Sequence, residues 1–190
     1  MDKTELRRSL LCQRQALSPQ KWQEQSQQIC EQIQSQKLFQ EAKTILLYLS
    51  HRQEPDLESL WAAYSQNYPK KKWGLPRCQG KDLVWHDWHP ELTGTIVKNR
   101  YGIGEPEASL PVVSVEEVDL ILVPCVGCDR SGYRLGYGGG YYDRLLSQPP
   151  WQNKPTLGIT FSFAYLEKLP IDPWDVPLQG VCTEQEISYL

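Results

Sequence analysis

Asp119-Leu-Ile-Leu-Val123, the Gly-rich segment from Pro124 to Gly140, and Tyr141-Tyr-Asp-Arg-Leu-Leu146 together decide the fold. The first is a strand-sized apolar run, and its continuous character suits a sheet covered on both faces. The last begins a helix. A buried strand, a Gly-rich loop and a helix in that order form an α/β unit. Its backbone N–H groups and helix start can receive an anion.

Further strands are expected at Thr44–Leu49 (TILLYL), Lys72–Leu75 (KWGL, stopped by Pro76), Asp82–Trp88, Thr156–Thr160 and Gly180–Thr183. Helices are expected between them. Leu6, Leu10 and Leu17 share a face of a first helix. Ser18-Pro19 starts a second, with Ser as the cap and Pro at the first helical position, and Trp22, Ile29, Cys30 and Ile33 follow at helical spacing. Asp56 caps a third, which carries Leu57, Leu60, Trp61 and Tyr64. Residues 89–117 are rich in Gly, Pro and charge and read mostly as loop, and Ala164–Leu169 as a short helix. Strands and helices alternate along most of the chain. That pattern predicts a single α/β domain spanning residues 1–190, a three-layer sandwich with a mainly parallel sheet. Ligands in such sheets bind beyond the carboxyl ends of the strands. The loops after Leu49, Val123 and Thr160 are therefore the places to look for function.

Composition narrows the class. The chain has 190 residues, 40% hydrophobic and 23% charged, with seven Trp and ten Tyr. These values fit a folded globular protein and not a disordered one. A net charge of −3 argues against a general nucleic-acid binder, which needs a basic surface to displace counterions. Charges interrupt the first fifteen residues and no stretch has the ~20 apolar residues of a membrane span, so a cytoplasmic protein is expected. Six Cys are scattered. Cys125-Val-Gly-Cys128 follows a strand and precedes a turn, with no second ligand pair, so it reads as two small buried side chains and not a zinc or thioredoxin-like site. His86 and His89 are too closely spaced for a helical zinc motif and are treated as structural or exposed.

Chemistry gathers at RLGYGGGYYDR, Arg134 to Arg144. Glycines at 136, 138, 139 and 140 let the backbone approach a ligand closely. The loop lacks the Gly-Lys-Ser/Thr of a Walker A motif and the third Gly of a dinucleotide fingerprint. Arg134 and Arg144 suit phosphate oxygens, and Asp143 suits Mg²⁺, which prefers oxygen ligands. Lys3 and Arg7 are four residues apart and share a helix face; they matter if the fold brings them to the loop. Glu54 lies just past a strand's carboxyl end, where it can accept from a ligand's N–H groups. Asp172-Pro-Trp-Asp175 reads first as a turn. No Ser sits in a nucleophile elbow.

These residues, in this order, resemble the 5-formyltetrahydrofolate cyclo-ligase family, also called methenyltetrahydrofolate synthetases. The resemblance runs from Lys3-Thr-Glu-Leu-Arg7 through Tyr48-Leu-Ser, Glu54, Leu75-Pro-Arg77, Tyr101-Gly-Ile-Gly-Glu-Pro106, Val123-Pro124, Asp129, Gly132 and RLGYGGGYYDR to Pro170, Asp175 and Thr183-Glu184. The chain departs from the family pattern with Cys at 125 and 128, and with Gly139 where Lys is frequent.

The resemblance implies an ATP- and Mg²⁺-dependent ring closure of 5-formyltetrahydrofolate, with or without a polyglutamate tail, to 5,10-methenyltetrahydrofolate, ADP and phosphate. It places Lys3, Arg7, Arg134, Gly136, Gly138, Gly139 and Gly140 on ATP, with Tyr141 and Tyr142 in the same stretch and the Tyr142 side chain more in the core. Arg134 and Asp143 are the catalytic pair, and Asp143 and Asp175 the metal ligands. Leu49, Glu54, Tyr101, Tyr137 and Tyr141 face the folate. A monomer is expected, with no nucleic acid or membrane partner. The alternatives are a catalytically silent folate or nucleotide binder, and a sugar-phosphate isomerase-like enzyme on a similar fold.

Overall fold

A computed structural model describes residues 2–67 and 71–190. Helix α1 (Lys3–Gln15) begins where the Asp2 carboxylate accepts from the N–H groups of Thr4 and Glu5, both at 2.8 Å, with Glu5 reaching back to the Asp2 N–H. This reciprocal cap satisfies donors that the helix itself leaves open. Leu17, expected on the same helix, lies beyond its end. Ser18 is extended and precedes Pro19, which disfavours helical geometry just before it. Helix α2 (Pro19–Ser35) starts as expected, with the Ser18 hydroxyl accepting from the Lys21 N–H, and it buries Ile29, Cys30 and Ile33. Helices α3 (Lys37–Glu41) and α4 (Glu58–Asn67) flank strand β1 (Thr44–Leu46). Asp56 accepts from the Glu58 N–H at 3.0 Å, while the side chain of Tyr64 lies outside the described ones.

Strands β2 (Lys72–Gln79) and β3 (Asp82–Trp88) form a hairpin. Pro76 does not stop β2. The pairing with β1 ends at Gly74, so a residue without an N–H is tolerated where only β3 remains alongside. Residues 89–117 are not simply loop: β4 (Ile96–Lys98) and β5 (Gly104–Pro106) pair antiparallel within them. Strand β6 (Leu120–Pro124) is the decisive apolar run. The Gly-rich segment after it contains β7 (Gly127–Asp129) and β8 (Arg134–Leu135), then helix α5 (Tyr141–Leu146). After helix α6 (Pro149–Gln152) come β9 (Thr156–Ile159), β10 (Tyr165–Leu166), β11 (Gly180–Cys182) and β12 (Ile187–Tyr189). The helix expected over Ala164–Leu169 is absent. Tyr165 and Leu166 instead pair with Cys128 and Asp129 of β7, because the backbone finds a sheet edge there.

The main sheet has the order β12-β11-β9-β6-β1-β2-β3. Its five central strands run parallel, and β12 and β3 close the edges antiparallel. Side chains alternate across it. Ile45, Leu47, Leu120 and Leu122 pack against α2, α3 and α4 on one face, while Leu46, Ile121 and Val123 meet α5 on the other. This is the three-layer α/β sandwich that the alternating elements predict. Ile121, Leu122 and Val123 are all 0% exposed, and each such side chain contributes about 1.5–3 kcal/mol of hydrophobic stabilisation. The carboxyl ends of β1 and β6 open on the same side, and α1 crosses that opening. The loop after β9 leaves the same edge of the sheet but buries Phe161 and Ala164 in the core.

Candidate active site

A cavity of about 840 Å³ lies at the carboxyl ends of β1 and β6. Its walls come from distant parts of the chain: α1, the loop after β1, the β4–β5 hairpin, the Gly-rich loop with the start of α5, and the segment around Asp172 and Asp175. Lys3, Arg7, Leu49, Glu54, Tyr101, Arg134, Gly136, Tyr137, Gly138, Gly139, Gly140, Tyr141, Tyr142, Asp143 and Asp175 all line it. Every residue that the family resemblance assigns is thus brought to one place, whereas Arg144, suited by its charge to phosphate, does not line the cavity and donates from Nε and Nη2 to the Lys81 carbonyl at 2.9 and 2.6 Å.

At one end is the glycine loop. Gly138 and Gly140 have φ of +97° and +64°, left-handed values that favour a residue without a Cβ. Arg7 Nε donates to the Gly136 carbonyl at 2.7 Å, tying α1 to the loop. Gly139 has its own reason to lack a side chain: a Cβ there would sit 2.9 Å from the Tyr141 ring. The guanidinium of Arg134, with a side chain only 5% exposed, donates to Asp143 Oδ2 at 2.9 Å and lies 5.0 Å from the centre of the Tyr142 ring. Its Nε is buried without a partner. Lys3 Nζ donates to Asp172 Oδ2 at 2.7 Å and to Asp175 Oδ2. Burial of the ammonium acts to lower its pKa, but the two carboxylates outweigh this and leave it raised. Each carboxylate assigned to a metal is therefore in contact with a cation.

Asp143 and Asp175 supply the hard oxygen donors that Mg²⁺ takes. Two carboxylates beside a glycine loop suit a cation that keeps several waters. Among the described residues no cluster of three or more His, Cys, Asp or Glu side chains could hold a metal by itself.

Glu54 stands at the other end. Its residue is 4% exposed, and its carboxylate accepts from the His51 N–H at 3.0 Å. Burial pushes its pKa up to about 7, against opposing pulls from Arg14, the His51 N–H and Tyr137. Burial likewise raises the Tyr137 phenol well above its usual range. Tyr101, 53% exposed, sits at the tip of the β4–β5 hairpin, where Asn99 Oδ1 accepts from the Tyr101 and Ile103 N–H groups. Tyr142 is mostly core, edge-on to Trp85, yet it reaches the cavity wall.

Other residues escaped the sequence reading. Arg14, Arg52, Asn99 and Asp172 all support the site. Arg14 follows Arg7 by seven residues and Lys3 by eleven, a helical spacing that was available as a signal. Asp172 had only its place in an apparent turn. Cys125 and Cys128 are buried free thiols, as expected, and the His86 ring is bonded to the Leu110 carbonyl at 2.7 Å.

Comparison with known proteins agrees with this arrangement. The model of the 5-formyltetrahydrofolate cyclo-ligase family matches residues 1–184. The 5-formyltetrahydrofolate cyclo-ligase of Escherichia coli K12 is 33% identical over 181 residues, covering 92% of this chain and 96% of that protein. The Haemophilus influenzae protein of the same name is 35% identical over 146 residues, covering 73% and 74%. Among solved structures, the Aquifex aeolicus 5,10-methenyltetrahydrofolate synthetase superposes with a TM-score of 0.85 at 33% identity, covering 100% of this chain and 93% of that one. The Mycoplasma pneumoniae 5,10-methenyltetrahydrofolate synthetase gives 0.76 at 26%, covering 97% and 99%. With a match that runs nearly end to end in both sequence and structure, the chain belongs to the 5-formyltetrahydrofolate cyclo-ligase family.

Proposed function

We infer that this chain is an ATP-dependent ligase that closes 5-formyltetrahydrofolate to 5,10-methenyltetrahydrofolate, releasing ADP and phosphate. The observation that carries the reading is one cavity with a cation-lined glycine loop at one end and a buried carboxylate at the other. Those are complementary to a phosphate chain and to the N–H edge of a reduced pterin.

The chemistry sets the residues' tasks. A formamide oxygen is a poor leaving group. Transfer of the γ-phosphoryl from ATP to that oxygen breaks the bond to ADP and makes an imidate-like phosphate. N10 then attacks the formyl carbon and gives up its N–H proton to the departing phosphate, the carbon–oxygen bond breaks, and hydrogen phosphate leaves with the ring closed. Catalysis here is positioning and charge neutralisation. Lys3, Arg7 and Arg134 meet phosphate oxygens, and the N–H groups of Gly136 to Gly140 cradle them. Asp143 and Asp175 would hold Mg²⁺, which supplies further neutralisation of phosphate charge. Glu54 accepts from the pterin N–H edge, with Leu49, Tyr101, Tyr137 and Tyr141 along the folate. The same reading takes the enzyme to be a cytoplasmic monomer; among the described residues no helix is long and apolar enough to cross a membrane.

Absorbance in the methenyl-folate band tests this, with 5-formyltetrahydrofolate, ATP and Mg²⁺ and controls omitting each. A rise that needs all three is expected. No rise, with folate still bound by calorimetry, would mean a silent binder; no rise and no binding would remove the substrate.

A further inference from the structure

Arg14 lines no part of the cavity, yet its side chain is placed as if the folate end depended on it. It lies on α1 in the row that begins with Lys3 and Arg7. At 100° per residue, the three fall within about 40° of one another around the helix axis. The first two reach the phosphate end. Arg14 is the inner member, with the residue 3% exposed. Its Nε donates to the Arg52 carbonyl at 3.0 Å, and its Nη2 donates to the Tyr137 hydroxyl. The guanidinium also lies 5.6 Å from the centre of the Tyr137 ring. Its Nη1 is buried with no hydrogen-bond partner. A buried guanidinium with one N–H group unmatched is an expensive feature to keep for packing alone.

The backbone that it holds is unusual. Arg52 and Gln53 have φ of +48° and +56°, left-handed values at two successive residues that are not glycine. Such geometry persists only where the surroundings impose it. This turn carries Glu54. The Glu54 N–H donates to the His51 carbonyl at 3.1 Å, and the His51 N–H returns to the Glu54 carboxylate. Trp22 and Ser50 both donate to the Glu54 carbonyl. Arg14 is the one cation among these clamps, and it also fixes Tyr137 from behind.

We propose that Arg14 is a positioning residue for the folate: one guanidinium holds the strained turn that presents Glu54 and the phenol that faces it. The proposal rests on the functional reading above, because it takes Glu54 to be the acceptor for the pterin. A carboxylate accepts at both oxygens only when ionised. Among the described residues, the groups around Glu54 besides Arg14 are the Tyr137, Tyr48 and Tyr142 phenols, all kept neutral by burial, His51, whose pKa burial lowers, and Arg52, which is exposed and lines the same cavity. Arg14 is thus the nearby charge that opposes the effect of burial on Glu54.

Calorimetric binding of 5-formyltetrahydrofolate, and separately of ATP, between pH 6 and 9 tests the proposal on the wild type, Arg14→Met and Arg14→Lys. Thermal melting is recorded for each. Arg14→Met should weaken folate binding about tenfold at pH 8 and leave ATP binding within about twofold. The pH below which folate affinity falls should move up by about one unit, since the cation that favours ionised Glu54 is gone. Arg14→Lys keeps the charge but not the planar fork. It should lose affinity severalfold while holding the wild-type pH midpoint, and it carries the test if Arg14→Met does not fold. Folate affinity and midpoint unchanged in the variants would overturn the proposal. So would equal losses for both ligands with a matching fall in melting temperature, which is what a packing role alone produces. A wild-type protein that binds ATP but no reduced folate at any pH would overturn the functional reading as well.

Discussion

At Glu54 the proposed folate contact and stability pull in opposite directions. Its carboxyl titrates at about 7 in the folded chain against an ordinary 4.5. A raised acid pKa means that the fold favours the protonated form. The contribution is fully present below the unfolded value and is lost as pH rises through the folded one. At pH 8 the buried charge therefore works against folding, by up to about 3 kcal/mol for a shift of this size. Glu54→Gln keeps the shape and an oxygen for the His51 N–H. It should raise the melting temperature over wild type at pH 8 and have little effect at pH 5, while weakening folate binding. A melting temperature equally displaced at both pH values would refute the titration argument. Asp143 is a second residue with two demands on it. Asp143→Ala would leave the nearly buried Arg134 guanidinium without its carboxylate. Asp143→Asn keeps an acceptor but loses the charge that a cation needs. We expect turnover in Asp143→Asn to fall on the order of a hundredfold, with the Mg²⁺ requirement shifted to much higher concentration and circular dichroism unchanged. A wild-type magnesium titration would remove Asp143 from the metal site.

Helix α1 shows how an element can carry a site that its own residues do not disclose. Lys3 and Arg7 read as an ordinary solvated face until the fold brings Arg7 to the Gly136 carbonyl and Lys3 to Asp172 and Asp175; Arg14 follows them at helical spacing. The cap at Asp2 holds the first turn in register, so Asp2→Ala should fray the end that carries Lys3. The expected result is an apparent KM for ATP raised severalfold with KM for folate unchanged; equal changes in both would show that the cap only stabilises the chain. Strand β6 was legible because Leu120–Val123 is apolar on both faces, which only a covered strand requires. The Gly-rich loop was legible because several glycines beside Arg and Asp have few other uses. The β4–β5 hairpin was not. Its strands are three residues each, and Val97 and Lys98 are exposed, so no hydrophobic period marks them. Tyr165–Leu166 looked helical in isolation, and only the edge of β7, which comes from elsewhere in the chain, makes it a strand. Likewise, nothing local tells that Asp172 will meet Lys3, 169 residues away.

Across the whole molecule, the cavity is closed by both ends of the chain. Lys3 from the first helix bonds Asp172 and Asp175 from the C-terminal segment, and Arg7 bonds the Gly136 carbonyl. The sheet between them only sets the distance. A ligand bridging these parts should act as a cross-link on folding. Binding at a hundredfold over Kd stabilises by about 2.7 kcal/mol, and about 2–4 °C of melting temperature corresponds to each kcal/mol in a chain of this size. ATP with Mg²⁺ should therefore raise the melting temperature by roughly 5–10 °C, and reduced folate alone should give a comparable rise. The two shifts should be separable by residue. Lys3→Ala combined with Arg7→Ala should abolish the nucleotide shift and spare the folate one, whereas Glu54→Gln should do the reverse. The ion pairs at Lys3 and Asp143 sharpen the expectation. Bound phosphates and cation would draw Lys3 and Arg134 away from the carboxylates that they now contact, so the nucleotide shift should need Mg²⁺. An equal shift with ATP and chelator would mean that the carboxylates keep their present partners and that no metal enters between them.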